Sequence, residues 1–329
     1  VGCVEPSIIG AFGRNNGGFL NLARIVDFAL NDGRDRLTGE QLGLHTGDPR
    51  NFTCIEDVME AVKTQLLYFI KLLATEDHII DVVQSELTPH VLVSTMIPAC
   101  IEKGKDITAG GAIYHTTTPF GAGLATATDS LAAIKKAVFE DKSVSMDELL
   151  HALDTDFEGM EGEKIRQKLL ATPKFGNDDD YVDEFARFLT DTFMKEVETY
   201  ESGRGGHLVG GFFTLSSTVP LGHETPATPN GRKARTPISD SVSPTNGVEE
   251  NGPTAVLNSA AKIDHSRCAA GNAVNIKFSP GALESAGKLE KFANLITAYL
   301  IDMHGFEVQI NVVSAATLRA AQKNPYEYR

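Results

Sequence analysis

The chain has 329 residues, enough for one large domain or two medium ones around a substantial core. Hydrophobic residues make up 42% and charged residues 22%, and the formal net charge is -14, which excludes a basic nucleic-acid-binding surface. No apolar run reaches the length of a membrane-spanning helix and no signal-peptide pattern opens the chain, so no membrane contact is expected.

The first 18 residues are Gly-rich and without periodicity, and read as a loop. Phe19, Leu22, Ala23, Val26, Ala29 and Leu30 recur at helical spacing and predict a helix ended by Asn31-Asp32-Gly33. A second helix is predicted over 55–74, and a third apolar pattern runs to about Cys100. Between Gly104 and Gly123 the Gly- and Thr-rich stretch predicts a strand flanked by loops of the kind that carry function. Ser145-Met146-Asp147-Glu148 is a capping box opening a helix through Leu153, and Tyr181 to Tyr200 predicts another amphipathic helix. Phe212 to Val219 reads as a strand, whose alternation would aim Thr214 and Ser216 at one face as substrate contacts. Residues 285–304 predict a helix with Leu289, Phe292, Ile296, Tyr299, Leu300 and Met303 inward, and 307–313 a strand in which Gln309 and Asn311 alternate with apolar residues. Strands alternating with long helices imply an α/β fold with mostly parallel pairing.

The four cysteines, Cys3, Cys54, Cys100 and Cys268, are too scattered for a CxxC motif, and no HExxH occurs, so no metal site is expected. Free thiols point to a reducing, cytoplasmic compartment. Cys3 stands out by context, in Gly2-Cys3-Val4-Glu5-Pro6. Pro6 biases Glu5 toward an extended backbone, and in an extended stretch residues two apart share a face. The Cys3 sulfur and the Glu5 carboxylate would then project together. A carboxylate neighbour raises a thiol pKa, which disfavours a thiolate nucleophile and suits a neutral sulfur that exchanges a hydrogen atom while the acid handles protons. A buried cysteine beside a turn, with Glu5 on the surface, is the alternative this pentapeptide leaves open. His115, His207 and His223 stand in loops within reach of a ligand or in purely structural roles, and Asp178-Asp179-Asp180 lacks EF-hand spacing.

On that pentapeptide, on Thr46-Gly47-Asp48-Pro49-Arg50, Pro173-Lys174-Phe175-Gly176-Asn177-Asp178-Asp179-Asp180, Ala227-Thr228-Pro229-Asn230-Gly231-Arg232, Ser243-Pro244, Gly252-Pro253-Thr254-Ala255 and Gln309-Ile310-Asn311-Val312-Val313, the sequence resembles the glycyl radical enzymes, the superfamily of pyruvate formate-lyase. The resemblance implies a ten-stranded α/β barrel, of which residues 1–329 would be the second half with flanking helices, as one partial barrel domain. It implies that Cys3 carries a thiyl radical and that Glu5 is its acid/base partner. Gly2, where pyruvate formate-lyase has a second cysteine, sets acetyl transfer aside and places the chain in the dehydratase or eliminase branch, with arylacetate decarboxylation or a non-catalytic protein retaining the fold as alternatives. Asn16 stands where the glycerol-acting members have an Asp, and Phe12 and Arg14 would line the pocket beside it. The resemblance further implies no directly bound cofactor, a glycyl radical installed by an activating enzyme using S-adenosylmethionine and an iron–sulfur cluster, a small-molecule substrate, and a homodimer of the full-length protein. Neither end has the look of a natural tail, and the expected RVxGY-type segment should follow Arg329. A fragment lacking the glycyl radical segment, inactive by itself, is therefore expected.

Overall fold

The computed structural model describes residues 5–13 and 15–328. In chain order its elements are β1 (Asn15–Asn21), α1 (Leu22–Ala29), α2 (Ile55–Leu87), α3 (Val91–Ser94), α4 (Pro98–Lys103), β2 (Thr117–Ala122), α5 (Leu124–Ala133), α6 (Met146–Asp154), α7 (Gly159–Leu170), α8 (Asp180–Val197), β3 (Gly211–Phe212), α9 (Thr218–His223), α10 (Gly252–Ala261), β4 (Ala273–Phe278), α11 (Ala286–Thr297), β5 (Glu307–Val312) and α12 (Ala315–Lys323). β1, β2 and β3 form a parallel sheet in that order, and β4 pairs with β5 in a second parallel sheet. A parallel bridge between Phe212 and Asn272 ties the two sheets together, so the strands follow one another in chain order. Parallel neighbours need crossover connections, and the helices supply them.

Helices α1, α2, α5 and α8 pack on one another, and α2 packs on β1 and β2. Their core includes Leu22, Val26, Leu66, Ile70, Leu131, Leu189 and Phe193, all essentially without exposure. Each such side chain contributes roughly 1.5–3 kcal/mol of burial free energy. Among the described residues no helix is long and apolar enough to cross a membrane.

Several boundaries differ from those read in the sequence, each for a local reason. Phe19 belongs to β1 and is exposed, because Gly17 and Gly18 let this strand lie against α2 and β2; a Cβ on Gly18 would stand 2.5 Å from Leu73 Cδ1. Helix α2 runs to Leu87, well past residue 74, since its buried stripe continues through carboxylates, Asp77 and Asp81. The expected strand over 212–219 ends at Phe212. Beyond it, the Thr214 and Leu215 N–H groups go to the Ser241 hydroxyl (3.3 Å) and the Asp240 carboxylate (2.8 Å), leaving no ladder to extend. Leu215 takes a left-handed φ of 45°, and Pro220 then sits in the short helix α9. The 285–304 helix is α11 continued by a wider turn over 298–302; it buries Tyr299 but exposes Leu289 and Met303. The capping box at Ser145 stands as read, and the strand expected over 307–313 ends one residue early, at Val312.

Candidate active site

Glu5 opens the described part of the molecule. Its side chain is buried, 6% exposed, although Pro6, Ser7, Ile8 and Ile9 after it face outward. The loop it belongs to is pinned at its far end. Gly13 N–H donates to the Tyr114 carbonyl at 2.7 Å, and Phe12 stacks on Tyr114 with ring centroids 5.3 Å apart. The buried Arg204 guanidinium donates to the Gly13 carbonyl at 3.3 Å and to Asp81 at 2.9 Å, fixing loop, α2 and the 201–208 turn to one another. These bonds fix the end of the loop that leads into β1.

On β5, Glu307 lies close enough to Glu5 to feel its charge. Residues two apart on a strand share a face, so Glu307, Gln309 and Asn311 form one row. Burial pushes the Glu307 carboxyl up, a hydrogen bond from Gln309 opposes this, and the charge of Glu5 raises it further. The row continues into a cavity of about 530 Å³ whose lining includes Ser216, Asp240, Asn275, Lys277, Gln309 and Asn311. β4 and β5 pair in register there, Asn275 with Gln309 and Lys277 with Asn311. Asp240 is held by the Leu215 N–H (2.8 Å), the Ser241 hydroxyl (2.9 Å) and the Asn275 amide.

A second acid lies behind β1. Asp77 accepts from Gly18 N–H at 3.0 Å, and its other oxygen is buried without a hydrogen-bond partner, directly under Gly17. Burial pushes its carboxyl up to about 6, reinforced by the charges of Asp81 and Glu76 and opposed by the Gly18 bond.

The candidates from the sequence distribute as follows. Cys3 and Arg14 lie outside the described residues. Asn16 is exposed on β1, paired with Thr118, and Phe12 is half-buried against Tyr114. Thr214 and Ser216 do not share a face: Thr214 is buried, its hydroxyl accepting from Ser241 N–H at 2.7 Å, whereas Ser216 lines the cavity. His115 is held to the Ala112 carbonyl, and His223 pairs with Glu224 on the surface. Asp178 and Asp180 bind Lys262. Among the described residues no cluster of His, Cys, Asp and Glu is placed to hold a metal ion, and Cys54, Cys100 and Cys268 are free thiols. Glu307, Asn275, Lys277 and Asp240 are further candidates that the sequence did not single out. The available signal was the polar half of the 307–313 alternation, which reads equally well as a solvated face.

Parallel strands in chain order, connected by helices, with a buried acid on an anchored loop ahead of the first strand, define an α/β scaffold. The chain belongs to the pyruvate formate lyase-like family, whose model matches residues 1–222. A second model, described as glycine radical, matches residues 238–329. That match overturns the expectation of a half-barrel fragment lacking the glycyl radical segment and inactive for that reason. α10, β4, α11 and β5 lie within the matched residues.

The chain is 39% identical over 330 residues to trans-4-hydroxy-L-proline dehydratase of Clostridioides difficile, covering 100% of this chain and 41% of that protein. Its structure is similar to the glycerol-bound B12-independent glycerol dehydratase of Clostridium butyricum, at a TM-score of 0.91 and 40% identity over 99% of this chain and 41% of the other. A Roseburia inulinivorans structure described for 1,2-propanediol dehydration superposes with a TM-score of 0.92 at 39% identity, covering 100% of this chain and 42% of the other. The chain thus spans about two fifths of the length of the relatives it matches.

Proposed function

We propose that this chain carries the thiyl and acid/base chemistry of a glycyl radical lyase that eliminates water or a similar leaving group from a small substrate. The observation that carries the reading is the buried carboxylate of Glu5, two residues from Cys3, on a loop anchored by Arg204 and Tyr114. A carboxylate within hydrogen-bond reach of a substrate hydroxyl can take up its proton and return it to the leaving group. The dehydratases among the relatives support the same chemistry.

A glycyl radical, installed by an activating enzyme that uses S-adenosylmethionine and an iron–sulfur cluster, supplies the unpaired electron. Cys3 as thiyl takes a hydrogen atom from a substrate C–H and becomes a thiol, leaving a carbon radical. Glu5 accepts the proton of the hydroxyl on that carbon. The carbon–oxygen bond at the neighbouring carbon breaks, and the leaving hydroxide takes the proton from Glu5 and departs as water. The product radical recovers a hydrogen atom from the Cys3 thiol, which restores the thiyl. Phe12, Arg14 and Asn16 would border this centre, with Thr214 a structural support and Ser216 a contact at the cavity. The free thiols fit a cytoplasmic enzyme, and a homodimer is the assembly we assign to the whole protein.

The test is anaerobic activation of the enzyme, with the glycyl doublet followed by electron paramagnetic resonance and products assayed with diols, hydroxyproline, choline, sulfonates and arylacetates. Cys3→Ala should abolish turnover. Glu5→Gln should lower kcat by about a hundred- to ten-thousand-fold, with the doublet retained in both variants. Undiminished turnover in either variant would refute its assigned role, and carbon dioxide release from an arylacetate would replace elimination by decarboxylation.

A further inference from the structure

We propose that Asp77 is a positioning residue: it locks a bulge in β1, and the bulge turns Asn16 and Phe19 together to the face of the strand away from α2. The inference rests on the lyase reading above, in which Asn16 borders the reacting centre, and adds to it a group behind the sheet that aims Asn16.

The bulge is visible in the strand pairing. Asn16 stands beside Thr118 and Phe19 beside Phe120, so three steps along β1 match two along β2 and β1 carries one extra residue. Without that residue, alternation would put Asn16 and Phe19 on opposite faces. With it, both are exposed, and Phe19 stacks on Phe120 with ring centroids 5.7 Å apart. Gly17 and Gly18 take up the distortion on the other side. A Cβ on Gly17 would stand 2.4 Å from Asp77 Oδ2 and 2.8 Å from Pro119 N, and one on Gly18 would stand 2.5 Å from Leu73 Cδ1. Both positions thus face α2, and neither has room for a side chain as it stands.

Helix α2 holds the strand from behind at both ends of this segment. Asp77 Oδ1 accepts from the N–H of Gly18, which has no partner on β2 in this register, at 3.0 Å. One turn further on, Asp81 accepts from the Thr117 hydroxyl of β2 and from Arg204, and Arg204 donates to the Gly13 carbonyl at 3.3 Å. Asn16 therefore sits between two anchors, Gly13 and Gly18, that both lead to acids on α2. A buried acid is costly, and the second Asp77 oxygen has no partner to offset that cost. An expensive group kept at the bulge fits a positional role better than a packing one.

The test is kinetic, on the anaerobically activated enzyme with the panel of compounds named above. Asp77→Ala should raise KM about tenfold for the compound turned over, with the glycyl doublet unchanged, and Asp77→Asn, which keeps the acceptor, should restore the wild-type KM. A merely structural loss would lower kcat per chain and leave KM alone. Gly17→Ala, which keeps every carboxylate but forces the bulge to shift, should act like Asp77→Ala. Asn16→Ala should raise KM as well, and adding Asp77→Ala to it should change little more, because one acts through the other. Additive effects, or an unchanged KM in both Asp77→Ala and Gly17→Ala, would overturn the proposal. Hydrogen exchange of the Gly18 amide in the unactivated protein separates this inference from the lyase reading. Exchange should be slow in the wild type and in Asp77→Asn, and at least about tenfold faster in Asp77→Ala. Equal exchange in all three would sink the lock whatever the activity. That exchange pattern without elimination of any compound after activation would leave the lock standing and defeat the lyase reading.

Discussion

Asp77 occupies a place in α2 where the buried stripe Leu66, Ile70, Leu73, Ala74 would be continued by another aliphatic residue. One of its oxygens holds Gly18 on β1, and the other is buried with no partner. Its carboxyl, pushed up to about 6 mainly by burial, makes a testable contribution to stability. The folded-state value lies above that of the unfolded chain, so this contribution is fully present below about pH 4 and is lost as the pH rises through about 6. The full swing is of order 3 kcal/mol. Asp77→Asn keeps an acceptor for Gly18 and cannot ionise. Denaturant midpoints at pH 4.5 and pH 7.5 should therefore fall less with rising pH in the variant than in the wild type, and equal slopes would refute the assignment. Residues of this type are hard to read from sequence. An acid on the buried stripe looks like the end of a helix, and its partner is a backbone N–H 59 positions away. Glu5 stands out in the sequence because its neighbours Cys3 and Pro6 give it a chemical context. Glu307 does not, because the charge it feels belongs to a residue roughly three hundred positions earlier in the chain.

Elements whose cause is local were legible in the same way. The Ser145 hydroxyl accepts from Glu148 N–H at 3.2 Å, and the Glu148 carboxylate accepts from Ser145 N–H at 2.7 Å, closing the box at the start of α6 that the sequence announces. These bonds hold the Glu148 carboxyl below its ordinary range. Ser145→Ala should cost about 1 kcal/mol in unfolding free energy, read as a lower denaturant midpoint at unchanged slope; a shift smaller than a few tenths would show that tertiary packing, not the cap, starts the helix. The strand expected over 212–219 failed for the opposite reason. Its apolar alternation is real, but Asp240 and Ser241 capture the backbone donors of Thr214 and Leu215. Nothing near residue 214 announces that capture. The failure also relocates two candidates, burying Thr214 and leaving Ser216 at the cavity.

At the scale of the molecule, the segment from Pro173 to Asp180 joins the region matched by the pyruvate formate lyase-like model to the one matched by the glycine radical model. Asn177 accepts from the Glu250 and Asn251 N–H groups at 2.7 and 3.2 Å and donates to the Val248 carbonyl at 2.9 Å. Lys262, at the end of α10, binds Asp178, Asp180 and Asp183 at 2.8 to 2.9 Å, and Asp183 is fully buried. Although burial opposes it, these carboxylates push the Lys262 ammonium up. Removing the ammonium would strand the Asp183 charge in the interior, where burial already pushes its carboxyl up. Lys262→Met should accordingly destabilise the protein by about 3 kcal/mol, and the loss should be uneven. The clasp is a principal polar tie of α10 to α8, whereas α5 is held by apolar packing on α1 and α8. Amide hydrogen exchange in the variant should accelerate across residues 245–262 while α5 keeps its protection, because local opening draws on the contacts that close each region. Uniform acceleration in α5 and α10 would show instead that the two matched regions unfold as one unit and that the clasp merely adds to a shared core.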